Sequence, residues 1–262
     1  MKQRSIDFSK FSSIKIGPLV DVTIIEYKDE FPKDHILIGH ANNLLISPNP
    51  PKLMLLGRDF DYIKIERDSL IVGAATPTGK LLSFCKKFDI GGFEYVAKLP
   101  GTVGGMLAMN AGVKSYETFN DLIEIKTNLG TFAKNDIEHG YRYAKLPGIA
   151  IESRFTLKKG YDENLAKELL QLRANQPKMP SAGSIFKNPP EDFAGRLIEA
   201  AGLKGVRLGN MAWSDIHANF LVNLGNGRYE DAMALIELAQ KSVYEKFGKK
   251  LELEVKILKL NN

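Results

Sequence analysis

The fold of this chain is indicated most clearly by one loop, Leu99-Pro100-Gly101-Thr102-Val103-Gly104-Gly105-Met106. Three glycines, a proline and a threonine within this segment are hard to explain as core packing, because glycine permits positive φ and close backbone approach. Such density is typical of ligand contact, with a tight structural loop as the competing interpretation. The loop is neither a G-x-G-x-x-G fingerprint followed by an acid about 20 residues on nor a Walker A loop. The sequence therefore disfavours a Rossmann fold.

Two neighbouring segments extend this pattern. Met109-Asn110-Ala111-Gly112 adds a side-chain amide that suits a ring or a phosphate. Gly39-His40-Ala41-Asn42-Asn43-Leu44 follows a predicted strand, where small residues let backbone N–H groups approach an anion such as a pyrophosphate. An ordinary turn explains this earlier loop equally well, because asparagine is common in turns. Alone, it indicates phosphate binding only weakly.

The remaining chain alternates predicted strands and helices, so we expect an α+β protein. Apolar alternation predicts strands at 19–24, 35–39, 62–66, 70–75 and 149–157, a hairpin at 122–132 and a last strand at 251–260. Start and stop signals predict helices at 77–88, 162–176, 193–200 and 230–247. A length of 262 residues suits two domains. We place the boundary near Gly160, giving domains 1–160 and 161–262, with the first split near residue 67.

Composition restricts the partners and the compartment. The net charge of +5 comes from lysines and arginines spread along the chain, which suits a dinucleotide or nucleotide diphosphate better than nucleic acid. Cys85 is the only cysteine, so no internal disulfide is possible and a reducing compartment is favoured. We interpret Cys85 as part of a packed helix face. No stretch approaches the roughly 18 apolar residues of a membrane span, so we expect a cytoplasmic protein.

Metal and serine-hydrolase chemistry have no support in the sequence. The four histidines are far apart in the chain and none has metal-ligand spacing with another histidine, cysteine or acid. No G-x-S-x-G elbow is present. We therefore expect no metal site.

Polar residues cluster in three C-terminal segments. Gly183-Ser184-Ile185-Phe186-Lys187-Asn188-Pro189 places a hydroxyl, an ammonium and an amide beside glycine and proline, as expected of a binding loop. His217-Ala218-Asn219-Phe220-Leu221-Val222-Asn223 and Leu251-Glu252-Leu253-Glu254-Val255 add polar residues to apolar strands. Alternation places Glu252 and Glu254 on one face, which is either solvated or directed into a cleft. The pattern does not decide which glutamate lies nearer a site.

In chain order, these segments resemble the UDP-N-acetylenolpyruvoylglucosamine reductase family, in its compact second type. The resemblance rests on the Leu99–Gly105 loop with Asn110-Ala111-Gly112, Tyr141-Arg142, Arg173 with Gln176-Pro177, Gly183–Pro189, Ala201-Gly202-Leu203-Lys204-Gly205, His217–Phe220 and Leu251–Val255. It implies an FAD-binding region of two α+β subdomains, similar to vanillyl-alcohol oxidase relatives, plus a C-terminal α+β substrate domain. It also implies an NADPH-dependent enzyme that reduces an enolpyruvyl UDP-sugar to UDP-N-acetylmuramate for peptidoglycan synthesis. We expect a monomer.

The resemblance also implies roles for individual residues. Arg142 and Glu254 stabilise the charge that develops next to the substrate carboxylate, and Ser184 delivers the proton to C2. Cofactor-binding roles fall on Gly39, His40, Ala41, Asn42, Asn43, Leu44, Pro100, Gly101, Thr102, Gly104, Gly105, Asn110, Ala111 and Gly112. Substrate-binding roles fall on Tyr141, Arg173, Gln176, Lys187, Asn188 and Asn219. Glu252 is the alternative to Glu254.

The sequence departs from the family pattern in its flavin loops. Gly39-His40-Ala41-Asn42-Asn43 stands where the family usually has three glycines, serine and asparagine, so the loop must accommodate a bulkier His40. Ala144 occupies a position that is usually serine.

Two alternatives remain: an FAD oxidase of the same superfamily with another substrate, and a non-enzymic nucleotide-binding protein. Retention of Ser184, Arg142 and Glu254 argues against the oxidase.

Overall fold

The computed structural model describes residues 1–97, 99–172 and 174–260. Two compact units share the chain, and each contains several separate segments. Unit 1 comprises Met1–Arg4, Val22–His40 and Lys52–Ala174. Unit 2 comprises Ser5–Asp21, Ala41–Pro51 and the chain from Asn175 onward. None of the described helices combines the length and the apolar character that a membrane span requires.

Six α-helices occur among the described residues. They are α1 Phe8–Phe11, α2 Thr78–Lys87, α3 Val103–Met109, α4 Glu163–Gln171, α5 Ala194–Ala200 and α6 Tyr229–Phe247.

The strands are short and number twenty-one in the same residues. They are β1 Lys2–Asp7, β2 Leu19–Ile25, β3 Ile36–Leu37, β4 Leu44–Ile46, β5 Leu53–Leu56, β6 Ile63–Glu66, β7 Ser69–Gly73, β8 Ile90–Gly91, β9 Gly112–Val113, β10 Tyr116–Glu117, β11 Leu122–Thr127, β12 Gly130–Ala133, β13 His139–Gly140, β14 Tyr143–Ala144, β15 Ala150–Thr156, β16 Lys158–Lys159, β17 Ser181–Ser184, β18 Arg207–Leu208, β19 Met211–Trp213, β20 Phe220–Asn223 and β21 Lys256–Leu258.

Unit 1 contains two larger sheets, each beside a core cluster of its own. An antiparallel sheet in the order β12-β11-β15-β7-β6 packs with α2 and α3 around Phe93, Phe119 and Phe155. A second sheet has the order β1-β2-β5-β3, and its strands β2, β5 and β3 are parallel. Ile25, Met54 and Phe60 form the core cluster beside it. The two cores agree with a region built from two α+β parts.

Unit 2 is built around an antiparallel sheet in the order β17-β20-β19-β18. The apolar faces of α5 and α6 pack in its core, where the rings of Phe186 and Trp213 stack with centroids 6.0 Å apart. Strand β4 from the first fifth of the chain pairs in parallel with β21 at its end. Ile14, Ile16 and Leu45 complete the same core.

The domain bounds expected from the sequence differ from these units. Segments 5–21 and 41–51 fold with unit 2 because their apolar residues are buried in its core, so residues 1–160 are not one body. Helix α4 belongs to unit 1, which continues to Ala174 rather than ending near Gly160. The split near residue 67 falls in the turn between β6 and β7, which are paired neighbours in one sheet.

Most predicted elements are present, with three clear differences in length. The helix predicted at 162–176 ends at Gln171, and the strand predicted at 35–39 has only two residues. The strand predicted at 251–260 is regular only over β21, because β4 offers a three-residue partner. Cys85 is fully buried in α2, and burial raises the pKa of its thiol to about 12. This agrees with a packed helix face.

Candidate functional site

In unit 1, Gly39, the first residue of one predicted glycine loop, lies close to Thr102 of the other. Thr102 caps α3 by accepting a hydrogen bond from the Gly105 N–H, and Gly101 has φ +129°. A side chain at Gly39 would place its Cβ 3.0 Å from the Thr102 hydroxyl oxygen. Within the described parts of the chain, the N–H groups of Gly39 and Thr102 donate to no other residue. A pyrophosphate fits this arrangement, because the backbone can approach it closely and both N–H groups can donate hydrogen bonds to it.

Gly104 has a structural role in the same loop. Its N–H donates to the Ala74 carbonyl at 2.8 Å, and an added Cβ would lie 3.1 Å from that oxygen. The Val103 N–H donates to the Thr76 carbonyl. Glycine at position 104 therefore lets α3 pack directly on the end of β7, and the packing interpretation accounts for this residue.

The Asn110 side chain joins three neighbouring segments of unit 1. Its amide nitrogen donates to the Glu117 carboxylate at 2.8 Å and to the Gly140 carbonyl at 3.0 Å. Its amide oxygen accepts from the Phe119 N–H at 3.0 Å. Both amide hydrogens are thus used within the protein, and only an oxygen lone pair remains for a ligand. Gly112 packs tightly against β10, since a Cβ at this position would overlap the Tyr116 carbonyl oxygen.

Arg142 is held against the same segment. Its Nη2 donates to the Gly112 carbonyl at 2.6 Å, and its Nη1 lies 3.8 Å from the Glu117 carboxylate. The guanidinium also lies 4.9 Å from the centre of the Tyr141 ring. The Arg142 side chain is only 16% exposed and its φ is +53°. A planar cation held in this way suits a carboxylate.

Glu117 was missed in the sequence. It contacts both Asn110 and Arg142, yet it belongs to the two-residue strand β10. A strand of this length has no periodicity to mark its inward face. The lone carboxylate next to Tyr116 was the only signal, and it resembles any surface acid.

His40 lies in the same unit, beside Asp61. Loss of solvation lowers the pKa of His40, against an opposing attraction from the Asp61 carboxylate. The neutral imidazole is therefore favoured in the folded chain. Ala41, which belongs to unit 2, has φ +52°, a left-handed conformation that glycine adopts more readily than alanine.

In unit 2, Ser184 ends β17 at an irregular point of the sheet. Gly183 has φ +80°, and the pairing of β17 with β20 shifts register between Ser181 and Ser184. The Ser184 side chain is half-buried. Its hydroxyl makes no hydrogen bond to any residue that the structure describes. A half-buried hydroxyl with open hydrogen-bonding capacity is suited to act on a bound molecule.

The segment containing the two glutamates runs beside Ser184. The Glu254 N–H donates to the Ile185 carbonyl at 2.8 Å, and Phe186 pairs with Leu253. Glu254 is half-buried, whereas the Glu252 side chain is 78% exposed. Glu252 lies 4.0 Å from the Lys187 ammonium. The two glutamates therefore do not share one environment, and Glu254 is the one held next to the Ser184 segment.

The remaining substrate candidates fall into different environments. The Asn188 amide oxygen accepts from the Ala194 N–H at 3.1 Å, where α5 begins. Lys187 is 27% exposed and faces Glu252. Asn219 is buried, and its amide is bonded to the Phe186 backbone. Gln176 is half-buried, and Arg173 lies outside the described residues.

Known proteins are similar to this chain over almost its whole length. Residues 175–258 match the family model for the C-terminal domain of UDP-N-acetylenolpyruvoylglucosamine reductase. An enzyme of that name from Helicobacter pylori is 41% identical over 99% of this chain and 100% of its own. One from Campylobacter jejuni is 45% identical over 97% and 99%. The crystal structure of the reductase from Thermus caldophilus superposes with a TM-score of 0.85, at 29% identity, over 99% of this chain and 100% of that chain.

These similarities show that the chain is an enzyme of the flavoprotein oxidoreductase class. They also confirm the predicted α+β fold. The chain belongs to the UDP-N-acetylenolpyruvoylglucosamine reductase family, which functions in peptidoglycan synthesis.

Proposed function

We propose that this chain reduces the enolpyruvyl group of UDP-N-acetylenolpyruvoylglucosamine to UDP-N-acetylmuramate, with FAD as its flavin and NADPH as reductant. The observation that supports this most strongly is the Ser184 hydroxyl, half-buried, without a partner among the described residues, and next to the Glu254 segment. Membership of the family supplies the substrate class.

The reaction adds a hydride to C3 of the enolpyruvyl group and a proton to C2. When bound, FAD supplies the hydride, which originates from NADPH. The residues of the chain then stabilise the electron-rich C2 beside the substrate carboxylate. Arg142 is the proposed partner of that carboxylate, because a guanidinium binds it bidentately. Glu254 is proposed to act on the same centre together with Arg142, from the other side.

Ser184 is the proposed general acid. A serine hydroxyl is a weak acid, but a carbanion-like centre is a far stronger base than water, so transfer from Ser184 to C2 is favourable. Lys187 lies three residues further along the same segment and is proposed to help restore the serine proton. Glu254 is preferred over Glu252 because only Glu254 is withdrawn from solvent.

The proposed binding roles concern the cofactor and the substrate in turn. The open N–H groups of Gly39 and Thr102 are proposed to bind the FAD pyrophosphate, and the other residues of the two glycine loops are proposed to make further cofactor contacts. Tyr141, Gln176, Lys187 and Asn188 are proposed to hold the UDP-sugar, together with Arg173. Positive side chains suit its diphosphate. We further propose that the chain is a monomer. We also propose that it is cytoplasmic, which a free, buried thiol supports.

An absorbance spectrum of the purified protein tests the proposal. The protein is incubated with FAD, washed, and treated anaerobically with NADPH and then with the UDP-enolpyruvyl sugar. We expect a flavin band that bleaches with NADPH and returns only with the sugar. If the reduced protein does not respond to the sugar but its band returns rapidly once oxygen is admitted, an oxidase is favoured. A colourless protein that ignores both ligands would contradict a flavin enzyme.

A further inference from the structure

Asn219 makes three hydrogen bonds to the two residues that follow Ser184. Its amide oxygen accepts from the Phe186 N–H at 3.0 Å, and its amide nitrogen donates to the Phe186 carbonyl at 2.8 Å. Its own carbonyl accepts from the Ile185 N–H at 2.9 Å. The residue is 3% exposed. A single buried side chain thus binds both peptide groups of Phe186.

The opposite edge of the same segment is bound by the Glu254 segment. The Ile185 carbonyl accepts from the N–H groups of Glu254 at 2.8 Å and Val255 at 3.3 Å. Every backbone N–H and carbonyl of Ile185 and Phe186 is therefore bonded, and Asn219 accounts for three of these four groups. Leaving any of them unpaired in the interior would be costly. The backbone after Ser184 consequently has one favoured position.

This arrangement leaves Asn219 little capacity for a ligand. Its buried side chain presents almost no surface, and its donor and acceptor both face Phe186. A role in binding substrate, which the sequence suggested, would depend on the second amide hydrogen or the second oxygen lone pair, and the side chain exposes almost no surface for such a contact. A role in holding the segment requires no change.

We propose that Asn219 is a positioning residue that orients the Ser184 hydroxyl through the Ile185-Phe186 backbone. The inference rests on the proposed role of Ser184 as proton donor. Proton transfer depends steeply on geometry, and a displacement of about 1 Å can lower a rate about 100-fold. Loss of the Asn219 amide should therefore affect the step that uses Ser184 and spare the step that does not.

Two variants separate this role from simple structural support. Asn219→Asp keeps the shape and the acceptor, but a carboxylate cannot donate to the Phe186 carbonyl. Protonation of the aspartate restores a donor, so the defect should shrink as pH falls. Asn219→Ala removes both side-chain bonds without adding a buried charge, and it should show no such recovery.

Asn223 provides a matched control, because it is the last residue of β20 and Asn219 directly precedes that strand. It is 4% exposed, and its amide donates to the Ile14 carbonyl at 2.9 Å and accepts from the N–H groups of Gly225 and Gly227. It is as buried and as fully bonded as Asn219, but its side chain bonds elsewhere. Asn223→Asp and Asn223→Ala therefore measure the effect of the same substitutions on stability alone.

The experiment measures the two half-reactions separately in the FAD-loaded proteins by anaerobic stopped flow. For both Asn219 variants we expect unchanged bleaching by NADPH and about 100-fold slower return with the UDP-enolpyruvyl sugar. The Asn219→Asp rate, divided by the parent rate at each pH, should rise as pH falls. Amide hydrogen exchange should accelerate at Phe186 in Asn219→Ala and not in Asn223→Ala.

The outcomes are distinguishable. Equal slowing of both half-reactions, or Asn219 variants that behave like the Asn223 variants, would overturn the positioning role while the parent enzyme remains active. If Asn219→Asp does not fold, Asn219→Ala decides alone through its half-reactions and its hydrogen exchange. If the parent itself bleaches but never responds to the sugar, the proposed function fails, and the inference falls with it.

Discussion

Ser184 and Asn110 show how differently two polar residues of the same family motifs are used. The Ser184 hydroxyl has no partner among the described residues, whereas both amide hydrogens of Asn110 bind the protein. Both residues were predicted to act on a ligand, because a polar side chain beside glycine in a motif indicates ligand contact whether or not the protein itself uses that side chain. Only the hydrogen-bond partners separate a group that is open to a ligand from one that supports a loop.

Replacing Ser184 by alanine should affect one half-reaction only. NADPH should still bleach the flavin, while return of the band with the UDP-enolpyruvyl sugar should slow by about 10²–10⁴-fold or more, because the proton donor is lost. Stopped-flow absorbance measures both steps. Ser181→Ala, on the same strand, is the control. Equal loss in both steps would mean that Ser184 shapes the flavin site instead.

At the scale of elements, helix α4 depends on a well-defined cap. Asp162 accepts hydrogen bonds from the N–H groups of Asn164 at 2.8 Å and Leu165 at 3.0 Å. Asp162→Ala should lower the free energy of unfolding by about 1 kcal/mol, as for other N-caps. Urea denaturation measures this, with faster hydrogen exchange expected at Asn164 and Leu165. Asp136→Ala, which changes an exposed acid, should leave the free energy of unfolding and these exchange rates unchanged. An unaltered urea midpoint for Asp162→Ala would contradict the capping role.

The elements also show what the sequence can and cannot predict. Helix α6 was predicted almost to the residue, because its apolar stripe is local and Gly248 adopts φ +65° at its end. The strand at 251–260 was predicted too long, because its extent depends on β4, a partner distant in the chain. Helix α4 was also predicted too long, since Pro177 marks a limit rather than the last helical residue.

At the scale of the whole molecule, histidine burial should make stability depend on pH. Burial lowers the pKa of His217, opposed by a local backbone hydrogen bond and assisted by the charge of Lys204. Its Nδ1 lies 3.3 Å from the Asn219 N–H, as an acceptor of the neutral ring. As the pH falls, the unfolded chain takes up this proton at a higher pH than the folded chain does. The contribution of the neutral His217 to the free energy of unfolding is therefore fully present above a pH of about 6.5 and decreases below that value.

Chemical denaturation at about pH 7.5 and about pH 5.5 measures this effect. The parent should lose stability between the two conditions, and His217→Gln should lose less. His40, whose pKa is also lowered, contributes in the same direction, so His40→Gln should give a separate reduction. Identical losses in parent and His217→Gln would show that the folded chain does not disfavour the His217 cation.

The interleaved units predict how fragments behave. A fragment from Asn175 to the end corresponds to the matched C-terminal domain, but it lacks Ile14, Ile16 and Leu45 of its own core and the partner of β21. We expect it to unfold without a cooperative transition in urea. Adding residues 1–51 as a separate peptide should partly restore the transition. A fragment that unfolds cooperatively by itself would contradict this expectation.

The same interleaving matters while the ribosome is still making the chain. Segments 5–21 and 41–51 emerge early, yet β21 follows about 200 residues later. At typical translation speeds of roughly 5–20 residues per second, these segments wait for about 10 to 40 s with apolar side chains uncovered. The nascent protein therefore has a long interval in which chaperones compete with aggregation. Slow codons after residue 51 would lengthen this interval without changing a single contact of the finished enzyme.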